Sequence, residues 1–461
     1  MLVVAPALPS VVGELGGLPL YPWVFAAYLL AATATTPVYG RVADVYGPKR
    51  PYLVGVGLFL AGSALAGTAD SMGFLVAMRG LQGLGAGALV PITLTLVGEL
   101  YPFERRARLQ GVVSSVWGLA AVVGPPVGGL LVTHAGWRWV FYLNVPFGLA
   151  ATWLVKRHLE EKPRAASATR QLDVTGAVAL MVGLGSALLG LQAVGQEGAV
   201  GPALAAGLLA AAALALFVHR ERRAIEPLVD RGLLRNPIFL AASAGGLFGF
   251  AVLYATTAYV PLLVRSVLGG SPQAAGFVLM PLSLSWVAAS VAAGHIILHA
   301  GYRSTTGLGV LLIAAGCAGL ATLDTSARMA QLYVTMMALG AGMGLAMTGF
   351  LVAVQSAAPP GRMGMATSAV QFFRSLGGAL GVALLGFVLM AGLREQGVDP
   401  AQAAQGAAGG SGGLAAVPAG ALMSALHLVF VATLACAAGT VAAGLAMPGG
   451  GARRHIHPAR R

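Results

Sequence analysis

The sequence predicts an all-α polytopic membrane protein made of two similar halves. The chain has 461 residues, of which 57% are hydrophobic and only 9% are charged, and its mean hydropathy is +0.81. A soluble protein would carry about a quarter charged residues. The 66 glycines suit helices that approach one another closely in lipid. These features favour a protein with many membrane spans over a soluble enzyme.

A short charged loop at residues 40–50 separates two long apolar runs and has a counterpart in the second half of the chain. Each loop has two glycines seven residues apart and a basic residue two places after the second glycine (Gly40, Gly47 and Lys49; Gly294, Gly301 and Arg303). Charge alone is equally compatible with a solvated loop that only fixes orientation. The repetition predicts a duplicated transporter.

Composition also excludes several classes of protein. The net charge of +13 does not indicate nucleic-acid binding, because the basic residues form short clusters between apolar runs and not one continuous face. Cys317 and Cys436 lie inside apolar runs, which predicts inert core thiols and no disulfide framework. We find no phosphate-binding loop, no Ser/His/Asp constellation and no metal-ligand pattern, so an enzyme is not predicted and no metal site is expected.

Fourteen apolar runs are candidates for membrane spans, each of which needs about 20 residues. They lie near 1–13, 22–41, 51–69, 74–98, 108–132, 138–156, 174–194, 201–219, 237–264, 274–297, 304–323, 329–354, 363–391 and 421–446. The first run rises only about 20 Å, so we expect the chain to begin inside its first helix. Residues 1–156 would form one six-helix bundle and 237–446 another. The linker 157–236 would hold two inserted spans, and 447–461 a basic cytoplasmic tail.

The distribution of Lys and Arg predicts the orientation. With both termini in the cytoplasm, most of the 28 basic residues fall in inner loops, the two linkers or the tail. The outer loops then hold only Arg138, Arg265, Arg328 and Arg394. This asymmetry favours fourteen spans with both termini in the cytoplasm. The expected location is the plasma (inner) membrane of a bacterium.

Several motifs follow one another along the chain. Asp44 lies between Gly40 and Gly47; span 4 contains Arg79, Gln82 and Gly83; span 5 contains Gly111, Gly124, Pro125, Gly128 and Gly129; span 13 contains Gln371, Arg374, Gly377, Gly378 and Gly381. With these motifs the chain resembles the major facilitator superfamily, specifically its fourteen-span drug:proton antiporter branch, over nearly its whole length. The resemblance implies the major facilitator fold, with two six-helix bundles plus two inserted helices.

The resemblance implies that Gly40, Asp44, Gly47 and Lys49 act as a conformational latch. Val45 departs from the family pattern, in which an Arg usually follows the Asp. A physical account is that Asp44 lies near the positive N-terminal end of the helix that begins near residue 363. Leu298 occupies the matching position in the repeated loop, so a carboxylate latch would exist on one side only.

The resemblance implies a role for Arg79 and Gln82 in proton coupling. An Arg inside lipid costs at least about 2.5 kcal/mol, so Arg79 must face the protein interior or a wet cavity, or else snorkel from its place near the outer end of the span. Gln82, three residues on and on the same helix face, favours a polar interior stripe. Arg374 in span 13 also needs a polar partner or a wet cavity, and with Gln371 it is a possible lining of the substrate cavity.

Span 5 matches the motif that marks antiporters in the resembled family. Gly111, Gly124, Pro125, Gly128 and Gly129 keep their places. Ala120 stands where a further Gly is usual. Prolines bend a helix and glycines allow a second helix to approach closely, as a pivot between halves requires. Ordinary close packing in a glycine-rich protein is the alternative.

One feature of the family is missing. Its first span usually carries an Asp before an Ala-Leu-Pro sequence, and here that Asp would precede Met1 although residues 7–9 read Ala-Leu-Pro. No predicted span has a central carboxylate. We expect the chain to be truncated and the coupling Asp lost with the missing part. Coupling through Asp44, Glu99 or His427, or no coupling at all, stays open.

The resemblance implies proton-coupled export of hydrophobic or amphiphilic small molecules by alternating access. The proton gradient would be the only driving force, with no cofactor. The expected partners are the substrate, protons and the lipid bilayer, with no nucleic acid, and the chain is expected to be a monomer. A dedicated exporter of one endogenous metabolite and a non-transporting membrane scaffold or sensor are the alternatives. The missing first-span Asp favours the scaffold, and the motifs of spans 4 and 5 oppose it.

Overall fold

The computed structural model of the chain describes residues 7–15, 23–159, 174–193, 200–223, 231–270, 272–359, 361–398 and 418–448, together with Val4 and Leu20. Every regular element in these ranges is a helix. The helices are α1 (Leu8–Leu15), α2 (Trp23–Tyr46), α3 (Lys49–Gly67), α4 (Met72–Leu100), α5 (Phe103–Ala135), α6 (Trp139–Tyr142), α7 (Asn144–His158), α8 (Val174–Ala193), α9 (Val200–Arg223), α10 (Arg231–Arg235), α11 (Pro237–Ser266), α12 (Pro272–Phe277), α13 (Met280–Ala321), α14 (Met329–Ala357), α15 (Met363–Glu395) and α16 (Ala419–Leu445).

The prediction of an all-helical polytopic membrane protein is confirmed. Within the described ranges, eight helical segments are long and apolar enough to cross a membrane by length and composition. One of them is the kinked α13, whose helical geometry is interrupted at Gly301. The count of fourteen spans and the domain boundaries stay predictions. Most of the predicted tail, residues 449–461, lies outside the described residues.

The second glycine of the repeated loop has a positive φ in both halves of the protein. Gly47 has a φ of 86° and Gly301 a φ of 80°. This left-handed region is strained for any residue with a Cβ atom. The conformation explains glycine at both positions and supports the relation between the two loops that their spacing predicts. We refer to α1–α7 as the N-terminal half and to α11–α16 as the C-terminal half.

Three alternating glycines in α4 bring α2 and α3 into backbone contact with it. A Cβ atom on Gly83 would collide with the carbonyl oxygen of Tyr28 in α2, and one on Gly87 would lie 2.7 Å from the carbonyl oxygen of Ala32. A Cβ atom on Gly85, on the other side of the helix, would collide with the backbone of α3. Small residues at such positions allow close packing in lipid, where no hydrophobic driving force holds helices together.

The C-terminal half repeats this packing with the glycines of α14. Cβ atoms on Gly340 and Gly344 would collide with the carbonyl oxygens of Leu282 and Trp286, in the first part of α13. A Cβ atom on Gly342 would lie 2.6 Å from the amide nitrogen of Ile313, in the second part of α13. The two parts of α13 and α14 therefore correspond to α2, α3 and α4. Tyr28 and Leu282 are related by the same sequence offset as Gly47 and Gly301.

Gly83→Ala is expected to destabilise the protein, because the added methyl group meets the backbone of α2 and the two helices must move apart. Overpacking of this kind costs about 1–3 kcal/mol. Gly80→Ala, one turn earlier in α4, is the matched control, since a Cβ atom there meets nothing within 4 Å. Thermal melting of the purified variants in detergent measures the difference. Equal melting temperatures for the two variants would contradict the packing argument.

The two halves meet along two seams. Helix α15 of the C-terminal half packs on α2 and α4, and α13 packs on α5. Within the C-terminal half, Gly377 and Gly381 of α15 bring that helix onto the backbone of α11 at Leu247 and Ala251. The inserted helices α8 and α9 pack on each other, and α8 also contacts α2 and α15. The α2–α15 seam is thus covered by α8 and carries the candidate site described next.

Candidate functional site

Asp44 joins the two halves of the protein. Its Oδ1 atom accepts a hydrogen bond from the backbone N–H of Gly364 and its Oδ2 atom accepts one from Met365, both at 2.7 Å. Because α15 begins at Met363, these are N–H groups of the first turn, which have no partner within the helix and carry the positive end of its dipole. The sequence-based expectation that Asp44 lies near the helix beginning at about residue 363 is therefore met by the geometry.

Glycines on both sides allow this contact. A Cβ atom on Gly364 would lie 2.6 Å from the carbonyl oxygen of Gly40 and 2.7 Å from Oδ1 of Asp44. A Cβ atom on Gly40 would lie 2.7 Å from the carbonyl oxygen of Gly364 and would collide with Ser368. Asp44 is 7% exposed. Gly40 is therefore part of the contact between the halves, and its side of α2 has no room for a larger residue.

Lys49 has a different place in this loop. Its Nζ atom donates to the carbonyl oxygens of Leu159, at 2.7 Å, and Lys156, at 3.1 Å. These carbonyls belong to the C-terminal end of α7, where a cation interacts favourably with the helix dipole. Lys49 thus fixes the loop to its own half. The structure brings only Gly40 and Asp44, of the four predicted latch residues, to the contact with α15.

Gln355 provides a second tie between the halves that the sequence analysis missed. Its side-chain Nε2 atom donates to the carbonyl oxygen of Leu94 at 3.1 Å. Its backbone carbonyl oxygen accepts from Nη1 of Arg106 at 3.4 Å. The side chain is 2% exposed, and Gly98 leaves room for it. A glutamine near the end of an apolar span must find a polar partner. That signal could have identified Gln355.

A polar network fills the interior of the N-terminal half around Arg79, which is 2% exposed. Its Nε atom donates to the carbonyl oxygen of Val24 at 2.9 Å, its Nη1 atom donates to Oε1 of Gln82, and its guanidinium carbon lies 4.3 Å from the ring centre of Tyr28. Arg79 therefore does not snorkel. The prediction that Arg79 and Gln82 share a buried face agrees with these contacts.

The network continues from Gln82 to α3 and α7. The Nε2 atom of Gln82 donates to Oγ of Ser63 at 2.9 Å, and Nδ2 of Asn144 donates to the same oxygen at 3.0 Å. Ser63 in turn donates to the carbonyl oxygen of Phe141 at 2.8 Å. Ser63 is a further residue that the sequence analysis missed, because a lone serine in an apolar span has no distinguishing pattern. The network ties α3, α4 and the start of α7 together.

A second buried cation, Arg374, lies in the C-terminal half and is 7% exposed. Its Nη2 atom donates to the carbonyl oxygen of Met347 at 2.7 Å, and its Nη1 atom donates to Oε1 of Gln371 at 2.8 Å. Its guanidinium carbon lies 5.6 Å from the ring centre of Phe250. The absence of a side chain on Gly246 makes room, since a Cβ atom there would lie 3.0 Å from Cγ of Arg374. The polar partner that its place in a span requires is therefore present.

The predicted antiporter motif lies within α5, the helix Phe103–Ala135. Gly124 and Gly128 are buried. A Cβ atom on Gly129 would meet nothing within 4 Å, so close helix approach does not explain glycine at that position. The surroundings of Gly111 and Pro125 lie outside what the structure describes. A pivot role for this helix stays a prediction.

The titratable groups differ in burial. Of the side chains that the structure describes, Asp44 is the only buried carboxylate, whereas Glu99 is exposed at the end of α4. His427 is also exposed, and it borders an open groove of about 570 Å³ with Asp324, Met423 and Ser424. Among all the residues that the structure describes, no group of three or more His, Cys, Asp or Glu side chains could hold a metal ion. Asp44 is thus the best placed of the three acid–base groups left open by the sequence.

Glu14 forms an ion pair at the opposite edge of the N-terminal half. Its carboxylate accepts from Nη1 of Arg138 at 2.6 Å and from Nε1 of Trp137 at 2.7 Å. These hydrogen bonds, the one from Arg138 first, hold the pKa of the Glu14 carboxyl below its ordinary value. The contact therefore persists at neutral pH and is lost only in acid. It fixes the end of α1 to the α5–α6 connection.

Three comparisons place this architecture among known proteins. The family profile described as "Major Facilitator Superfamily" matches residues 1–382. Multidrug transporter protein MdtP of Bacillus subtilis (strain 168) is 34% identical over 391 residues, which cover 84% of this chain and 72% of that protein. Multidrug resistance protein 3 of the same organism is 32% identical over 389 residues, covering 84% of this chain and 75% of the relative.

Solved structures share the fold at low sequence identity. The proton:xylose symporter XylE bound to 6-bromo-6-deoxy-D-glucose aligns with a TM-score of 0.61 at 14% identity, covering 96% of this chain and 90% of that one. The human organic anion transporter MFSD10 aligns with a TM-score of 0.60 at 16% identity, covering 91% and 84%. Together with the family profile and the curated relatives, the helical architecture leads to one conclusion: this chain belongs to the Major Facilitator Superfamily, a family of membrane transporters and not of enzymes.

Proposed function

We propose that this protein exports hydrophobic or amphiphilic small molecules in exchange for protons by alternating access, as a member of the fourteen-span antiporter branch. The observation that carries the proposal is the contact of Asp44 with the first turn of α15. It joins the halves through a buried charge, at the place where a transporter of this fold must open and close. The multidrug names of relatives at 32–34% identity support the substrate class.

The ties between the halves at this face suit a contact that breaks and re-forms. They are hydrogen bonds that Asp44 accepts from backbone N–H groups of the other half, and that Gln355 and Arg106 donate to its backbone carbonyl oxygens. A hydrogen bond to a charged group contributes about 1.5–3 kcal/mol. The distribution of Lys and Arg predicts that this face is cytoplasmic. The described conformation is then the one with its cytoplasmic side closed.

Asp44 also offers a way for protons to act on the conformation. As a carboxylate it accepts from two N–H groups of α15. Protonation would remove its charge and would place an O–H donor opposite one of those N–H donors, so a proton at this position weakens the contact. In this proposal Arg79 and Gln82 take part in coupling within the N-terminal half, and Gln371 and Arg374 line the substrate path.

The proposal is tested by efflux of a lipophilic dye from energised bacterial cells that express the chain, with and without a protonophore. We expect efflux above that of cells with empty vector, and we expect the protonophore to remove the excess. ATP levels, measured in parallel, control for an indirect effect of the protonophore. Export that survives collapse of the proton gradient would contradict proton coupling.

A non-transporting membrane scaffold or sensor is the second candidate. Each acidic residue that the structure describes within a helix lies within three residues of a helix end, and a proton pump needs a group reachable from both sides. A well-expressed chain that exports none of a panel of cationic, neutral and anionic dyes would favour this candidate, or a dedicated exporter of one metabolite, over multidrug export.

A further inference from the structure

The deepest charges in the described spans are all positive. Arg79 lies seven residues into α4 and Arg374 eleven residues into α15, whereas every described acid within a helix is near its end. Neither guanidinium has a carboxylate among its hydrogen-bond partners, which are backbone carbonyls and the amide oxygens of Gln82 and Gln371. Uncharged partners orient a guanidinium but leave its charge in place, and Arg stays protonated in proteins.

Each of the two cations also keeps an unused hydrogen-bond donor. Nη2 of Arg79 and Nε of Arg374 are buried and have no hydrogen-bond partner. An unmade hydrogen bond at a buried, charged donor is costly, so such donors in a transporter suggest a place that a ligand occupies. An anionic oxygen satisfies a guanidinium donor and its charge at once.

Each of the two cations lies against an aromatic ring. On the N-terminal side, the ring of Tyr28 lies under the guanidinium of Arg79, 4.3 Å from its central carbon. The ring of Tyr254 packs on Phe250 with centroids 6.3 Å apart, and Phe250 in turn faces Arg374. Tyr254 keeps 36% of its surface accessible although it lies well inside α11. The aromatic pair beside Arg374 therefore keeps part of its surface open to a ligand.

We propose that the preferred substrates are amphiphilic anions with a flat apolar body, whose acidic group binds Arg374 and whose body lies on Phe250 and Tyr254. The proposal rests on the function given above and specifies its substrate class. In a low-dielectric site two uncompensated positive charges attract an anion and repel a lipophilic cation. Aromatic faces supply contact area without selecting one compound. Arg79 is already held by Val24, Gln82 and Tyr28 and adds to the positive potential from the other half.

The test compares three fluorescent probes with one aromatic body and different charge: N-dansylglycine (anionic), dansylamide (neutral) and dansylcholine (cationic). Their binding to the purified full-length chain in nanodiscs of zwitterionic lipid is measured at neutral pH, without any gradient. We expect the anion to bind at least about tenfold more tightly than the neutral probe, and the cation most weakly. Binding of dansylcholine as tight as that of N-dansylglycine would overturn the proposal without any variant.

Substitution then assigns the binding to Arg374. Arg374→Gln is expected to lower affinity for the anion about tenfold and to leave affinity for the neutral probe unchanged. Arg374→Lys, which keeps the charge, should retain the order of the three probes. Arg394→Gln, at the exposed end of the same helix, is the matched control and should bind all three as the wild type does. An equal loss for all three probes in Arg374→Gln would show a structural role and contradict the proposal.

The outcomes separate this inference from the proposed function. Dye export that depends on the proton gradient, together with no preference for the anion in nanodiscs, would refute only the substrate class. Anion binding that depends on Arg374, with no export of any probe, would support the site and refute export.

Discussion

Asp44→Asn is expected to abolish most export while leaving the protein folded and inserted in the membrane. Asn has one acceptor oxygen and one N–H₂ donor where the carboxylate has two acceptors, so one first-turn N–H of α15 would face a donor. The variant also loses the negative charge at the helix N-terminus. A charge-assisted hydrogen bond contributes about 1.5–3 kcal/mol, which corresponds to about a tenfold to hundredfold shift in the equilibrium between closed and open states.

The conformational shift can be measured apart from transport. Arg50 and Arg303 are exposed and belong to the two copies of the repeated loop, one in each half. Spin labels on cysteines at these positions, in a chain without Cys317 and Cys436, report the separation of the halves at this face. We expect Asp44→Asn to increase the population with the larger separation.

The controls make this prediction specific. Asp70→Asn, on the exposed loop before α4, removes a negative charge that makes no contact with α15 and should export as the wild type does. Asp44→Glu should also fail, because Gly40 and Gly364 leave no room for a longer side chain. Wild-type export by Asp44→Asn would show that the contact is not a latch.

The sequence predicted this contact through two arguments. The loop with Gly40, Asp44 and Gly47 resembles a family latch, and a carboxylate is stabilised at the N-terminal end of a helix, for which the helix beginning near residue 363 was the candidate. The tie made by Gln355 depends instead on which helix ends meet across the seam, and single-sequence periodicity carries no such information. The same limit hid Ser63, whose partners come from α4, α6 and α7.

The relation between the halves was only partly predicted. The loop spacing indicated a duplication, but the alternating glycines at 83–87 and 340–344 are the stronger signal once their contacts are known. The sequence contains both sets. In a chain with so many glycines, similar spacings arise by chance, so the sequence alone did not distinguish these two sets from the others. Only the backbone contacts show which glycines bring helices together.

The repeat shows what the C-terminal half has at the positions of the N-terminal polar network. By the residue spacing that relates the two loops, Ser63 corresponds to Cys317. By the spacing that relates the two sets of alternating glycines, Arg79 corresponds to Met336 and Gln82 to Leu339. All three C-terminal residues are buried, at most 1% exposed. The same three-helix packing therefore forms around an apolar set. Arg79 and Gln82 are therefore not required by this helix packing, which favours a functional reason for their presence beside the ties that they make to α3 and α7.

Arg79→Met with Gln82→Leu, which copies the C-terminal pair, is accordingly expected to fold and to lose export by at least about tenfold. Replacing a buried ion pair by apolar residues of similar volume is often neutral or stabilising by about 1–4 kcal/mol, and we expect the same direction for this buried Arg–Gln pair. Changing both residues avoids leaving Oε1 of Gln82 without its donor. The melting temperature of the purified variant should be equal to or above that of the wild type.

Two measurements on the same variant decide whether the network serves stability or transport. Thermal melting in detergent reports the fold, and dye efflux with and without a protonophore reports coupled transport. Gly80→Ala, in the same helix and facing open space, controls for the handling of α4 variants and should behave as the wild type in both. A variant that fails to fold would show that Arg79 holds the N-terminal half together. A variant that exports normally would show that the network has no part in coupling. We expect the double variant to keep its stability and to lose export, because the C-terminal half forms the same packing without such a polar network.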